Sequence, residues 1–353
     1  MNIRYILKKT LYGFLIILSV VFALSFIFFS FINKDGKAVY EMTGQNTDQQ
    51  TVDEIKKAYH LDQPVWKQVL YYANDLSFIS VYPQEVKHKG IKLFGGSQKY
   101  WMLKTPYLGK SFQTDRSVGE TISKALPGTI VLAFAAILFA TLLGIILGIF
   151  AAKNQNTWID RGIIFLASGG MALPSFFAAI LMSWLLGYVL HAFTGLPTWG
   201  SLYNVDEYTG EKYLSIKNLI LPAFTLGIRP LSVIAQLTRN NLLEIQKMDF
   251  IRTAKAKGLS PNKVLVKHTL INIANPLITA ISGWLGGMLA GAVFIEYIFG
   301  WQGIGKTLVD GLQKLDYPVV MGSVITITCI FVLLNIIVDI LYAIVDPRIR
   351  LKG

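Results

Sequence analysis

The sequence predicts an all-α integral membrane protein: six transmembrane helices, with a small extracytoplasmic domain between the first and second. Three observations carry this. Of the chain, 53% is hydrophobic and only 15% charged, with a mean hydropathy of +0.48, a balance that excludes disorder and is unusual for a soluble domain. The apolar residues gather into six nearly uncharged runs, each close to the ~20 residues that a helix needs to cross hydrocarbon. Lys and Arg collect on alternate connections between those runs, as the positive-inside rule requires. Unpaired backbone is costly in lipid, so helices are the expected form of each run.

The first run, residues 11–32, follows Arg4, Lys8 and Lys9. It is longer than a secretory h-region and no small-x-small cleavage site follows, so it reads as an uncleaved anchor. The second is 125–152. The third, 162–190, holds Pro174; the fourth, 219–238, is interrupted by Arg229; the fifth is 277–295 and the sixth 317–338. With the N-terminus inside, the inner segments carry Arg4, Lys8 and Lys9, then Lys153 and Arg161, a basic island at 239–276, and finally Arg348, Arg350 and Lys352. The short outer loops hold only Lys212, Lys217, Lys306 and Lys314. Both termini are therefore expected in the cytoplasm. The net charge of +12 partly reflects this bias and does not argue for nucleic acid. The organisation expected is 1–32 as N-terminus and first span, 33–124 as the outer domain, and 125–353 as a five-helix core.

Residues 33–124 are too many for a plain connector. Thr51 and Glu54 have capping-box spacing, so a helix begins there; a second starts near Pro64 and runs through WKQVLYYAND. From about 80 to 105 the segment is basic, with Lys87, Lys89, Lys92, Lys99 and Lys104 against Glu85, interleaved with Tyr82, Phe94, Tyr100 and Trp101. This stretch reads either as a contact surface for a substrate-binding protein or anionic headgroups, or as a solvated loop.

The island at 239–276 bears Arg239, Lys247, Arg252, Lys255, Lys257, Lys263 and Lys267 against Glu244 and Asp249. Residues 240–257 have few breakers and read as helical. Gly258 stands where a helix end favours a left-handed residue. Ser260 and Pro261 form an N-cap and first-turn proline, so a second short helix starts there. Helix, glycine turn and helix together make a docking knob.

DFIRTAKAKGLS, followed by His268 and Pro276, resembles the signature loop of ABC-importer permeases of the dipeptide/oligopeptide/nickel branch. Arg252, Thr253 and Ala254 fill the places of the general Glu-Ala-Ala, and Gly258 that of its glycine; the missing Glu fits the peptide branch. The resemblance extends through LGIILGIFAAK, ALPSFF, TAISGWLGGMLAGAVFIEYIFGWQGIGKTLVDGLQKLDYPVV and LLNIIVDILYAIVDPRIR, and includes HLDQPVWKQ. It covers most of the chain except about 80–105, where the family commonly passes almost directly from DLSF to LGKSFQTDRSV.

The resemblance implies a permease subunit forming half of a pathway for short peptides. It implies a second homologous permease, two cytoplasmic ATPase subunits that use ATP and Mg, and an extracytoplasmic substrate-binding lipoprotein. No cofactor, metal or enzymatic activity is expected in this chain. The coupling residues it implies are Asp249, Arg252, Thr253, Ala254, Lys255, Lys257 and Gly258. Nickel or another small cargo is the alternative within the same machine. A self-sufficient channel or secondary transporter would instead show inverted repeats and several intramembrane charges; only Arg229 qualifies.

Arg229, followed by Pro230, reads either as a pathway-lining cation or as a structural ion pair or snorkelling side chain. Gly283, Gly287 and Gly291 recur every four residues in the fifth run, as do Ala140, Gly144, Gly148 and Ala152 in the second. Such rows let helices approach closely. The second row is expected to pack within the chain; in the family the fifth span lies near the pathway, so its glycines border the pore or the partner permease. Glu296 and Asp339 are read as structural helix-end acids.

Residues 300–307, GWQGIGKT, match G-x-x-x-x-G-K-[ST] letter for letter. A phosphate loop must follow a buried strand and open a helix facing nucleotide. This one follows a transmembrane run, so nucleotide binding is not expected. His60, His88, His191 and His268 lie on different segments with no metal-ligand spacing. The single cysteine, Cys329, permits neither a disulfide nor a Cys cluster.

Overall fold

The structure is a computed structural model, and it describes residues 3–32, 50, 53, 56–57, 60–83, 90–96, 98–206 and 209–345. The expected helix start at Thr51 and Glu54 lies outside them. Among the described residues five helices are long and apolar enough to cross a membrane, and there are six such spans if a bent pair counts as one. Contacts divide the chain into two units, 1–10 with 126–306 and 333–353, and 11–125 with 307–332.

The first span is α1, Ile3–Ile27, closed by a π turn at Phe28–Ile32. The second is α3, Val118–Lys153. The third departs from the uniform run expected: α4, Trp158–Ala172, and α5, Ser175–Met182 with a π extension to Val189, meet at 114°. The cause is local. A residue before proline is pushed out of the helical region, and Leu173 is extended (φ −74°, ψ 130°) before Pro174. The fourth span is α6, Lys217–Ile245, preceded by the hairpin β4 (Tyr203–Val205) and β5 (Lys212–Leu214).

The basic island also departs from expectation. Helix does not run unbroken over 240–257. It stops after Ile245, turns at an extended Met248 (ψ 149°), and restarts as α7, Asp249–Ala256. Ile245 and Ile251 are both buried in one cluster. Six residues apart in a straight helix they would point about 120° apart, so the break is what turns both toward one cluster. Beyond Gly258 helix restarts where expected, at Pro261 after an extended Ser260 (ψ 148°). It is not a separate short helix: Pro261–Lys263 runs through a π segment at Val264–Leu270 directly into the fifth span, α8, Ile271–Ile298. Then come α9, Ile304–Gln313, and α10, Tyr317–Val345.

In the larger unit, α6 packs against α4, α5 and α8. Leu132, Ala136, Leu221, Leu226, Met288 and Ile295 build its main core. Lys9 Nζ lies 2.8 Å from Asp339 Oδ2, pairing the ends of α1 and α10.

In the other unit the basic stretch is not a loop. It forms an antiparallel sheet, β1 (Ile79–Pro83), β2 (Ile91–Gly95) and β3 (Lys99–Leu103), ordered β1-β3-β2. The sheet sits on α2, Val65–Leu76, the helix expected after Pro64. Asn74 fixes it by accepting from Val81 N at 2.8 Å and donating to Val81 O at 3.1 Å. Tyr82 Oη donates to Asp75 Oδ1 at 2.6 Å, and Lys104 Nζ donates to the Asp75 carbonyl. Burial pushes the Lys104 ammonium down; burial and the Asp75 carboxylate push the Tyr82 phenol up.

Candidate functional site

The island residues form a two-faced element. Ile251 (0% exposed) and Ala254 (6%) point inward, packed with Ala152, Leu242, Ile245, Val264 and Ile273 from three spans and their connections. Asp249, Arg252, Thr253, Lys255 and Lys257 are all exposed. Of the expected coupling set, Ala254 is therefore set apart: it seats the helix, and the others make its outer face. Arg252 Nη1 lies 3.4 Å from Asp249 Oδ1, and Thr253 Oγ1 donates to the Asp249 carbonyl at 3.0 Å.

The helix ends in a Schellman arrangement. Gly258 N donates to Lys255 O at 2.9 Å and Leu259 N to Ala254 O at 3.4 Å. Gly258 has φ +77°, a region that glycine enters without the Cβ penalty. Leu259 then packs on the same cluster as Ala254. The turn thus fixes where the outer face of α7 points relative to the start of α8.

A residue outside the expected set ties this element to the rest. Arg239 grips Asp160 at the start of α4 through two 2.6 Å bonds, Nε to Oδ1 and Nη2 to Oδ2. Asp160 Oδ2 also accepts from Asn156 N at 3.0 Å, and its side chain is only 4% exposed. A basic island signals many cations; nothing in the sequence distinguishes the one with a buried partner 79 residues away.

Arg229 and Gly287, four turns or more from α7 along their helices, line one small cavity of about 70 Å³. Leu173, Ser175, Trp284 and Met288 complete much of its wall. The broken backbone at Leu173 and Pro174 therefore borders this cavity, in keeping with the rule that irregular backbone at membrane depth lies in protein or lines a cavity. Arg229 is exposed, and among the described residues it has no acidic partner within 4.0 Å. Gly283 and Gly287 are also exposed, and a Cβ on either would meet nothing within 4 Å. The surroundings of Gly291 lie outside the described side chains. By contrast, Gly144 and Gly148 press on α6, where a Cβ would come within 2.9 Å of Ile234 and 2.5 Å of Thr238.

The phosphate-loop lookalike is filled by the chain itself. Glu296, fully buried, accepts from Gly305 N at 2.7 Å and Lys306 N at 3.2 Å. A Cβ at Gly303 would lie 2.3 Å from the Glu296 carboxyl carbon. Trp301 is buried and donates from Nε1 to Gly128 O at 2.9 Å. The glycines wrap a carboxylate of this chain, and no strand precedes them.

Residues 144–351 match the family model of the binding-protein-dependent transport system inner membrane component, and residues 2–133 match that of its N-terminal portion. The chain belongs to this family. It is 31% identical over 353 residues to the dipeptide transport system permease protein DppB of Alkalihalophilus pseudofirmus, spanning 95% of this chain and 97% of that one. It is 33% identical to the DppB protein of Escherichia coli K12, over 83% of each. The probable D,D-dipeptide transport system permease protein DdpB of Escherichia coli K12 is 32% identical, over 99% of this chain and 98% of its own. Among solved structures, an inward-facing MetNI methionine ABC transporter chain superposes with a TM-score of 0.51 at 15% identity. It covers 64% of this chain and 96% of its own, a likeness of fold. The chain is thus a multi-pass permease subunit of an ABC-type importer, with a membrane-spanning helical fold.

Proposed function

We propose that this permease passes short peptides across a bacterial plasma membrane, driven by two separate ATPase subunits that bind its α7. The cargo reading rests on the dipeptide relatives named above. The coupling reading rests on one observation: the inner face of α7 is sealed into the span cluster while Asp249, Arg252, Thr253, Lys255 and Lys257 stand bare on the other side. A helix rooted this way moves with whatever grips its outer face, and the spans attached to it tilt as a body. Its cations suit an acidic groove rim and act on docking rate and orientation more than on strength.

The basic connections support a cytoplasmic side for α7 and both termini, and the Lys9–Asp339 pair, which joins the two terminal helices at one end, agrees with termini on one side. The 33–124 segment then faces outward, where a substrate-binding lipoprotein delivers peptide. A second, homologous permease completes the pathway along the open face of Gly283 and Gly287. Arg229 offers a cation to a peptide carboxylate or carbonyl in the cavity beside them. ATP and Mg act in the ATPases, and this chain performs no chemistry of its own.

The test is cross-linking from Lys255→Cys and Lys257→Cys in the Cys329→Ser chain, within the assembled transporter. Both positions should join the ATPase subunits and no others. Absence of any adduct, or reaction with an impermeant reagent outside intact cells, would overturn the reading. Uptake by this chain alone in liposomes would favour a self-sufficient transporter.

A further inference from the structure

The sheet at 79–103 wears its apolar face outward. Its inner face is the more polar one: Ser80, Tyr82, Tyr100 and Met102 are buried, and Ser80 Oγ donates to the Asn74 carbonyl at 2.6 Å. The outer face is built from two cross-strand rows. Ile79 and Ile91 flank Leu103; Val81 and Phe94 flank Trp101. Phe94 stacks on Trp101 with ring centroids 5.5 Å apart. A bulge between Lys92 and Phe94 brings Phe94 to this face; without it the alternation of the strand would send Phe94 to the other side. Exposure is 66% at Ile91, 65% at Phe94, 51% at Ile79, and 42% at both Trp101 and Leu103. An apolar patch of this extent on a bare surface marks an interaction site.

The chemistry of the patch names its occupant. Lys99, opposite Pro83, continues the same face; Lys92 and Lys104 turn to the inner side, over the rings of Tyr100 and Tyr82. Protein interfaces are depleted in Lys, whereas Trp, Phe, Leu and Lys together are the signature of surfaces lying in the headgroup region. Position agrees. Tyr72 of α2 packs on Phe29 at the end of the first span, ring centroids 6.4 Å apart, and Asn74 and Asp75, which hold the sheet, follow within one helical turn. The sheet is therefore held at the height where that span leaves the hydrocarbon.

We propose that the outer face of this sheet lies in the headgroup region of the bilayer leaflet around the first span, with Ile91, Phe94 and Trp101 inserted and Lys99 on anionic headgroups. That this is the extracytoplasmic leaflet rests on the orientation argued under Proposed function. The sheet then acts as a float that fixes the height of the segment above the membrane.

The experiment uses the full chain, Cys329→Ser, in the assembled transporter in nanodiscs of phosphatidylcholine and phosphatidylglycerol. An environment-sensitive fluorophore is placed by Phe94→Cys, by Ile91→Cys, and by Glu211→Cys as an exposed reference. At 91 and 94 we expect strong quenching by lipids bearing a nitroxide near the headgroup, and at least twofold less iodide quenching than at 211. Lys99→Glu should lower lipid quenching in phosphatidylglycerol discs and leave it unchanged in pure phosphatidylcholine. Iodide quenching equal to that at 211 with no lipid quenching overturns the proposal. So does protection that appears only when the binding protein is added, which would make the face a protein dock. Labelling of position 94 from the cytoplasmic side with lipid quenching intact would overturn the orientation and leave the insertion standing.

Discussion

Gly258 offers a clean perturbation, because two effects that usually mix are separated there. A Cβ built on it meets nothing within 4 Å, so no neighbour opposes a side chain. The whole cost lies in the backbone, which at φ +77° occupies a region that an ordinary L-residue reaches at a cost of roughly 1–2 kcal/mol. That corresponds to a factor of about 5–30 in the population of the closed turn. Losing the turn opens the two bonds to Lys255 O and Ala254 O and frees the outer face of α7 to pivot. Gly258→Ala and Gly258→Val should therefore weaken coupling in that order, while Gly258→Asn, which tolerates the left-handed region, should stay close to the parent. The assay is peptide taken up per ATP hydrolysed by the assembled importer in proteoliposomes. We expect a loss of about fivefold or more for Val. Full coupling in Gly258→Val would refute the reasoning; an Asn variant as poor as Val would show that the groove rejects a side chain, and that backbone strain is not the cause.

Three further outcomes are expected. Arg239→Gln strands the buried Asp160 carboxylate and should cost about 3 kcal/mol or more, read as a fall in the unfolding midpoint; replacing both partners by leucine should recover much of it, and no recovery would mean that the pair does more than satisfy itself. Arg229→Gln should lower peptide uptake while the complex still assembles and hydrolyses ATP, and normal uptake would remove Arg229 from the pathway. Gly303→Ala drives a methyl to 2.3 Å from the Glu296 carboxyl carbon and should destabilise the chain by about 1–3 kcal/mol, whereas Lys306→Ala, at the position of a phosphate-loop lysine, should leave the ATP response of the transporter unchanged; lost ATP response in that variant would contradict the carboxylate-cradle reading.

Spans were legible because lipid enforces one simple rule, the length and purity of an apolar run. Gly258 was legible because a left-handed helix end has a strong residue preference. Punctuation inside the spans was not. Pro174 breaks its helix at 114°, yet Pro222, Pro230 and Pro276 all lie within continuous helices. Residue type alone gives the tendency to break, and packing decides whether it happens. The break at Met248 is a case of the same kind: nothing at 246–248 forbids helix, and only the demand that Ile245 and Ile251 share a cluster reveals it. The sheet at 79–103 was hidden because its alternation is inverted. Its lysines and aromatics read either as a contact surface or as a solvated loop, since the apolar residues do not point to a protein core.

The glycines show which surfaces of the chain are finished. In α3 and α6 they are consumed: Gly148 lies against Ala235 and Thr238, and Gly227 against the Ala136 carbonyl, with a Cβ at either closer than 3.0 Å to its neighbour. Those rows act by allowing helices to touch, and substituting them would force the helices apart. In α8, Gly283 and Gly287 have the same four-residue spacing and nothing beside them. Glycine is costly in a helix, by up to about 1 kcal/mol relative to alanine, so a glycine stripe without a neighbour calls for a reason outside the helix. Gly287 borders the cavity that also exposes Arg229. A lone guanidinium is expensive in hydrocarbon but not in a water-filled passage, and a passage needs a second wall. The open stripe and this cation, which has no acidic partner among the described residues, are what the proposed second permease would cover on that side of α8.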